Sequence, residues 1–129
     1  MIYLDTSVAL AQLLAEDRVP PERLWREPLV SSRLLAYEVW VRIHGRNLGK
    51  SHGEAAGELL GRISFLELLP PVLARALDPF PVPVRTLDAL HIASLEFIRG
   101  LGQDVELATY DRRQIEIAER LAIPICAWV

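Results

Sequence analysis

The sequence predicts an α/β domain with a parallel sheet, assembled from βαβ units. Three observations carry this reading. Short apolar runs alternate with helical patterns along the whole chain. Helix-capping residues follow directly on the strand candidates, as Asp5-Thr6-Ser7 does after IYL. Four acids, Asp5, Glu38, Asp88 and Asp111, each fall where a strand ends or a helix begins. In an open parallel sheet the carboxyl ends of the strands share one edge, and ligands bind there.

The elements follow in order. IYL is a short buried strand, and the Asp5-Thr6-Ser7 cap opens a helix over VALAQLLAE. Pro20-Pro21 starts a short helix, PERLWRE. LVSS is the second strand, with Ser32 capping the helix RLLAYEVWVRIHGR. Gly45 and Gly49 bracket a break before a helix over SHGEAAGELLGRI. FLEL is the third strand; Pro70-Pro71 then starts the helix VLARAL, which DPFPVP ends. Thr86 is placed to cap LDALHIASLEFIRG, and Gly100 to stop it. VELAT is a strand, DRRQIEIAERLA a helix and IPICA a fifth, final strand. No repeat, linker or low-complexity tract interrupts the 129 residues, so residues 1–129 read as one domain with a sizeable core.

Composition limits the function classes. With 51% hydrophobic and 24% charged residues the chain reads as soluble and globular, with an apolar surplus compatible with an oligomer or a protein partner. No segment approaches the ~20 apolar residues of a membrane span. No basic stretch or cleavage signal opens the chain, so the expected location is cytoplasmic. Net charge is −3; with the four acids set aside, 14 basic residues face 13 acidic ones, which argues neither for nor against nucleic acid. All basic residues but Lys50 are Arg, the residue suited to bidentate phosphate contacts. The single cysteine, Cys126, lies in the apolar run IPICAWV and reads as a buried strand residue.

Each acid has two readings. Asp5 and Asp111 are placed to cap helices, and Gln114, three residues after Asp111, resembles the partner in a capping box. Glu38 lies within the apolar arc of its helix, about 40° from Leu34 on a wheel of about 100° per residue. Its structural alternative is an i,i+4 ion pair with Arg42. Asp88 shares an i, i+4, i+7 stripe with Ile92 and Leu95; the helix dipole explains an acid in the first turn but not one on the apolar side. Two carboxylates ~4 Å apart repel by ~4 kcal/mol at an effective dielectric of ~20. Four acids meeting at one sheet edge would need protons, basic partners or a divalent cation. Oxygen ligands without a Cys/His cluster favour Mg²⁺ or Mn²⁺ over zinc.

At these residues the chain resembles the PIN-domain nucleases, and among them the VapC-type toxins of toxin–antitoxin pairs. The resemblance rests on YLDTSVAL, SSRLLAYEVWVR, RTLDALHIASL and LATYDRRQIEIAERLAIPI, in the family's order and over nearly the whole chain. From Gly49 to Pro83 only the helical character matches. It implies a three-layer α/β/α sandwich with a parallel sheet of about five strands. It implies metal-dependent RNA cleavage, with Asp5, Glu38, Asp88 and Asp111 at the family's acidic positions and Mg²⁺ or Mn²⁺ as cofactor. Asp5, Asp88 and Asp111 are expected as ligands, and Glu38 as a ligand or as the group that positions the attacking water. Thr6 and Thr109 match the small hydroxyl positions that orient carboxylates or a metal-bound water. The implied partners are an RNA substrate, a small antitoxin whose basic residue enters the acidic pocket, and a second copy in a homodimer.

Around these acids, RIHGRNLGKSH (42–52) holds Arg42, Arg46 and Lys50 with no acid and is the best phosphate-contacting candidate; the alternative is a solvated helix end. Arg112 and Arg113 stand beside Asp111 to hold the RNA backbone or balance the acids. His91 reads as a hydrogen-bonded core or supporting histidine rather than a base. Trp25, Trp40 and Trp128 read as core or interface residues. The competing functions are a housekeeping RNA-processing nuclease of the same family, a non-catalytic module whose acids bind a basic tail, and a phosphoacceptor receiver domain. A receiver would pair two acids near the first strand, where Asp5 stands alone, and would carry a lysine far from the position of Lys50.

Overall fold

A computed structural model describes residues 1–128. The strands are β1 (Ile2–Leu4), β2 (Leu29–Ser32), β3 (Ile63–Leu66) and β4 (Glu106–Ala108). The helices are α1 (Thr6–Leu14), α2 (Arg33–Gly45), α3 (Gly49–Leu60), α4 (Pro70–Leu77), α5 (Thr86–Gly100) and α6 (Arg112–Arg120). All strand pairs are parallel, in the order β3-β2-β1-β4. The chain steps outward from β1 to β2 to β3, then crosses back through α4 and α5 to lay β4 on the other side of β1. The order therefore reverses between β1 and β4, and the crevice beyond their carboxyl ends is where such a sheet binds ligands.

The sheet is covered on both faces, so the architecture is the α/β/α sandwich. Alternation along β1 sends Ile2 and Leu4 into one core with Val8, Leu35, Val39, Ile43 and Leu59, while Tyr3 faces the opposite core with Ile92, Leu95, Leu107 and Ile117. Strands covered on both faces exclude charged side chains, and IYL and LVSS carry none.

Among the described residues the sheet has four strands, not five. IPICA contributes a single parallel bridge, Leu107 to Ile125, with Leu107 N donating to Pro124 O and Cys126 N to Leu107 O. Pro124 has no N–H with which to lengthen a ladder, and the chain turns at Ala127–Trp128. Cys126 is buried, as its apolar setting predicts. PERLWRE forms a five-residue 3-10 turn, Glu22–Arg26; Pro28 bars Glu27 from the α region and stops it there. The third strand is Ile63–Leu66, two residues earlier than FLEL, and α3 starts at Gly49 rather than Ser51. Thr86 is the first residue of α5, not its cap; Arg85 holds the cap position without a side-chain bond. Among the described residues no helix is long and apolar enough to cross a membrane.

Candidate active site at the β1–β4 switch point

Asp5 leaves β1 at the point of reversal, and its backbone N donates to Ala108 O of β4 at 2.9 Å. Extended backbone at Asp5 (φ −77°, ψ 150°) lets it cap α1. The cap bond is long, 3.3 Å from Ser7 N to Oδ2, whereas Ser7 Oγ donates to the same oxygen at 2.6 Å and Thr109 Oγ1 at 2.9 Å. Asp5 is buried, and Oδ2 is taken by these donors; among the described residues no hydrogen bond reaches Oδ1. Capping and site-building are thus one arrangement.

Thr109, just past β4, ties two acids together: Oγ1 donates to Asp5 and accepts from Asp111 N at 3.0 Å. Asp111 caps α6 through Oδ1, with Arg113 N at 2.9 Å. The expected capping box does not close. Gln114, almost fully buried on α6, turns to α5 and donates from Nε2 to Asp88 Oδ1 at 3.2 Å. Its Oε1 is buried and has no partner among the described residues.

The Asp88 carboxyl is held above the ordinary carboxylate range. Burial raises its pKa first, the charges of Asp111 and Asp5 raise it further, and Arg85 and His91 oppose the shift. Asp88 therefore feels the charges of Asp5 and Asp111, although the three come from separate parts of the chain.

Glu38 is oriented differently from its structural alternative. Its Oε1 accepts from Thr6 Oγ1 at 2.9 Å and lies 2.6 Å from His91 Nε2. Among the described residues no ion pair joins it to Arg42. His91 is buried and central: Nδ1 lies 2.8 Å from Tyr3 Oη, and Nε2 lies 3.3 Å from Thr6 Oγ1. Burial lowers the imidazole pKa, but the bond to Glu38 and the charges of Asp5, Glu38 and Asp88 outweigh it, so the net direction is up.

Two clefts flank the acids. One, of about 380 Å³, is lined by Ser7, Arg18, Arg42 and Tyr110; the other, of about 450 Å³, by Arg85, Asp88 and Arg113. Of the basic candidates, Arg42 lines the first cleft, and Arg46, Lys50 and Arg112 are exposed without an ion pair among the described residues. His44 stacks on Trp40 (5.6 Å, 20°). Trp25 and Trp128 pack against the core beneath α1–α3.

Reasoning from sequence missed Ser7, Tyr3 and Gln114. Ser7 had a usable signal, since it stands in the same DTS cap as Asp5. Tyr3 and Gln114 had none, because their partners lie far away in sequence.

A divalent ion suits this donor set in kind. Among the described residues no group of three or more His, Cys, Asp or Glu side chains stands ready to hold an ion. Mg²⁺ does not ask for one: it keeps several waters and is usually held by one or two carboxylates. The disturbed Asp88, and the Asp5 oxygen that accepts no hydrogen bond, are what such an ion would satisfy.

The PIN domain profile matches residues 2–120. The chain belongs to the PIN domain family. It is 32% identical over 130 residues to Ribonuclease VapC46 of Mycobacterium tuberculosis, covering 98% of this chain and 96% of that protein. It is 31% identical over 120 residues to Ribonuclease VapC47 of the same organism, covering 88% and 86% respectively. The PIN domain match extends over every segment that supplies Asp5, Glu38, Asp88 and Asp111.

Proposed function

We propose that this PIN domain is a metal-dependent ribonuclease and the toxin of a VapBC-type toxin–antitoxin pair. The observation that carries the reading is the gathering of Asp5, Asp88 and Asp111 at the switch point, where Thr109 ties Asp5 to Asp111 and Gln114 of α6 holds Asp88. Its setting supports it, in a chain similar over nearly its whole length to two proteins named VapC ribonucleases. Residues 1–129 act as one domain, since both hydrophobic cores pack on the same sheet.

Asp5, Asp88 and Asp111 would hold Mg²⁺ or Mn²⁺. When bound, the ion lowers the pKa of water and offsets charge on the phosphoryl oxygens. Thr109 and Ser7 hold the Asp5 carboxylate, and Gln114 holds Asp88, which limits the freedom of both before an ion arrives. Thr6 steadies Glu38, whose remaining oxygen accepts a hydrogen bond from the attacking water and aims it at the phosphodiester. Arg42, Arg46, Lys50 and Arg112 neutralise phosphates flanking the scissile bond.

A small antitoxin carrying a basic residue fits a pocket with this excess of carboxylate, and a homodimer would cover exposed apolar side chains such as Tyr37, Val41 and Leu77. An RNA substrate and a lone unpaired thiol, Cys126, suit the cytoplasm.

The test is cleavage of total RNA by antitoxin-free wild type and Asp5→Asn, each with Mg²⁺, Mn²⁺ or EDTA. Discrete metal-dependent products from the wild type, absent with the folded variant, are expected. Equal cleavage by the two proteins, or cleavage indifferent to EDTA, would overturn the assignment.

A further inference from the structure

A buried hydrogen-bonded chain runs from β2 to the acid site. Ser32 N donates to Tyr3 Oη at 3.2 Å, Tyr3 Oη lies 2.8 Å from His91 Nδ1, and His91 Nε2 lies 2.6 Å from Glu38 Oε1. Tyr3 is 0% and His91 3% exposed, while the Glu38 side chain is 23% exposed. The rings of Tyr3 and His91 meet edge to face, with centroids 5.9 Å apart and planes at 85°. Members of the chain come from β1, β2, α2 and α5, so packing of the whole sandwich fixes its geometry.

Donor and acceptor roles follow from chemistry. An ionised carboxylate only accepts, so the proton between Nε2 and Oε1 belongs to Nε2. In a neutral ring the Tyr3 hydroxyl donates to Nδ1 and selects that tautomer; in a charged ring both nitrogens donate, and Nε2–H still points at Glu38. The lock on Glu38 is therefore indifferent to the charge of His91. Thr6 Oγ1 adds a second donor to the same oxygen.

We propose that His91, itself oriented by Tyr3, is a positioning residue that immobilises Glu38 through Oε1 and leaves Oε2 as the oxygen offered to the site. The functional consequence rests on the ribonuclease reading. A glutamate on a helix has three rotatable bonds, and two short bonds to one oxygen remove that freedom before substrate arrives. Partners of this kind around reactive carboxylates are worth about 10–100-fold in activity.

His91→Asn and His91→Gln separate the roles. The Asn amide stands near the Nδ1 position and keeps only the Tyr3 contact; the Gln amide reaches the Nε2 position and keeps a donor to Glu38. With both variants folded by circular dichroism, His91→Asn is expected to lose about 10–100-fold in kcat on an RNA substrate with KM unchanged. His91→Gln is expected to regain most of it. Wild-type kcat in both, or losses that track only the fall in melting temperature, would overturn the proposal.

A second measurement does not need turnover. Side-chain ¹⁵N NMR of the wild type is expected to show a protonated, slowly exchanging His91 Nε2 whose resonance shifts in Glu38→Ala. An unprotonated Nε2, or a signal indifferent to Glu38→Ala, overturns the lock even in an active nuclease. The expected signal in a protein that cleaves no RNA would instead overturn the ribonuclease reading and leave the lock standing.

Discussion

Thr109→Val isolates one hydroxyl at the centre of the site. Thr109 is 3% exposed; its Oγ1 donates to Asp5 Oδ2 at 2.9 Å and accepts from Asp111 N at 3.0 Å. Valine is nearly the same size, so no cavity opens and the effect is that of the hydroxyl. A hydrogen bond to a charged group contributes ~1.5–3 kcal/mol. Asp5 Oδ2 keeps two bonds from Ser7, which places this loss at the lower end. The stranded Asp111 N–H costs ~1–3 kcal/mol if dry, and water reaching half-buried Asp111 again favours the lower end. The sum is about 2–3 kcal/mol, a large part of a typical domain stability of ~5–15 kcal/mol. Urea denaturation in EDTA, comparing wild type, Thr109→Val and Thr109→Ser, measures it. Serine keeps the hydroxyl and drops one methyl, for which ~0.8 kcal/mol is expected. A valine variant within ~0.5 kcal/mol of wild type, or a serine variant as unstable as the valine one, would refute the reasoning.

Two other perturbations probe the carboxylates. Asp88→Asn is expected to abolish cleavage yet raise the melting temperature at neutral pH without metal, because the native state holds this carboxyl above its ordinary pKa. The sign follows from linkage: an acid with a raised folded pKa favours folding below the unfolded value of ~3.9. Wild type therefore loses stability relative to the variant as pH climbs from there through the raised folded pKa. Saturating Mg²⁺ should reverse the order, adding ~2.7 kcal/mol to wild type at 100-fold excess over Kd; an unmoved wild type would count against the metal site. Gln114→Leu should change stability by no more than ~1 kcal/mol, since it removes a buried orphan acceptor along with a useful donor. NMR titration should show the Asp88 pKa moving further up in that variant, and a downward shift would contradict the assigned bond.

Much of the fold was legible because its signals are local. Each cap and apolar run occupies a few consecutive residues, so β1 with its Asp5 cap, β2 with its Ser32 cap and the Asp111 cap of α6 follow from short stretches. Errors arose where a local signal was ambiguous. Thr86 looks like a cap by type, but Arg85 takes the extended conformation in its place. IPICA looks like a strand by composition, but Pro124 and the following turn leave it one bridge. Gln114 looks like a capping-box partner, and burial against α5 offers it Asp88 instead.

The sequence by itself determined the α/β class, the order of elements, the placement of Asp5, Asp88 and Asp111 at element ends (Glu38, expected there too, lies inside α2) and the resemblance to PIN domains. Each depends on residue type and spacing over a few turns. Only the tertiary structure decided which strands are neighbours, that β1 and β4 meet at the reversal, and which oxygen of each acid is already occupied. Thr109 and Asp5 stand 104 positions apart, and Tyr3 and His91 88. Contacts of that span are set by the crossover through α4 and α5 and by which sheet face each side chain enters, properties of the packed sandwich rather than of any segment.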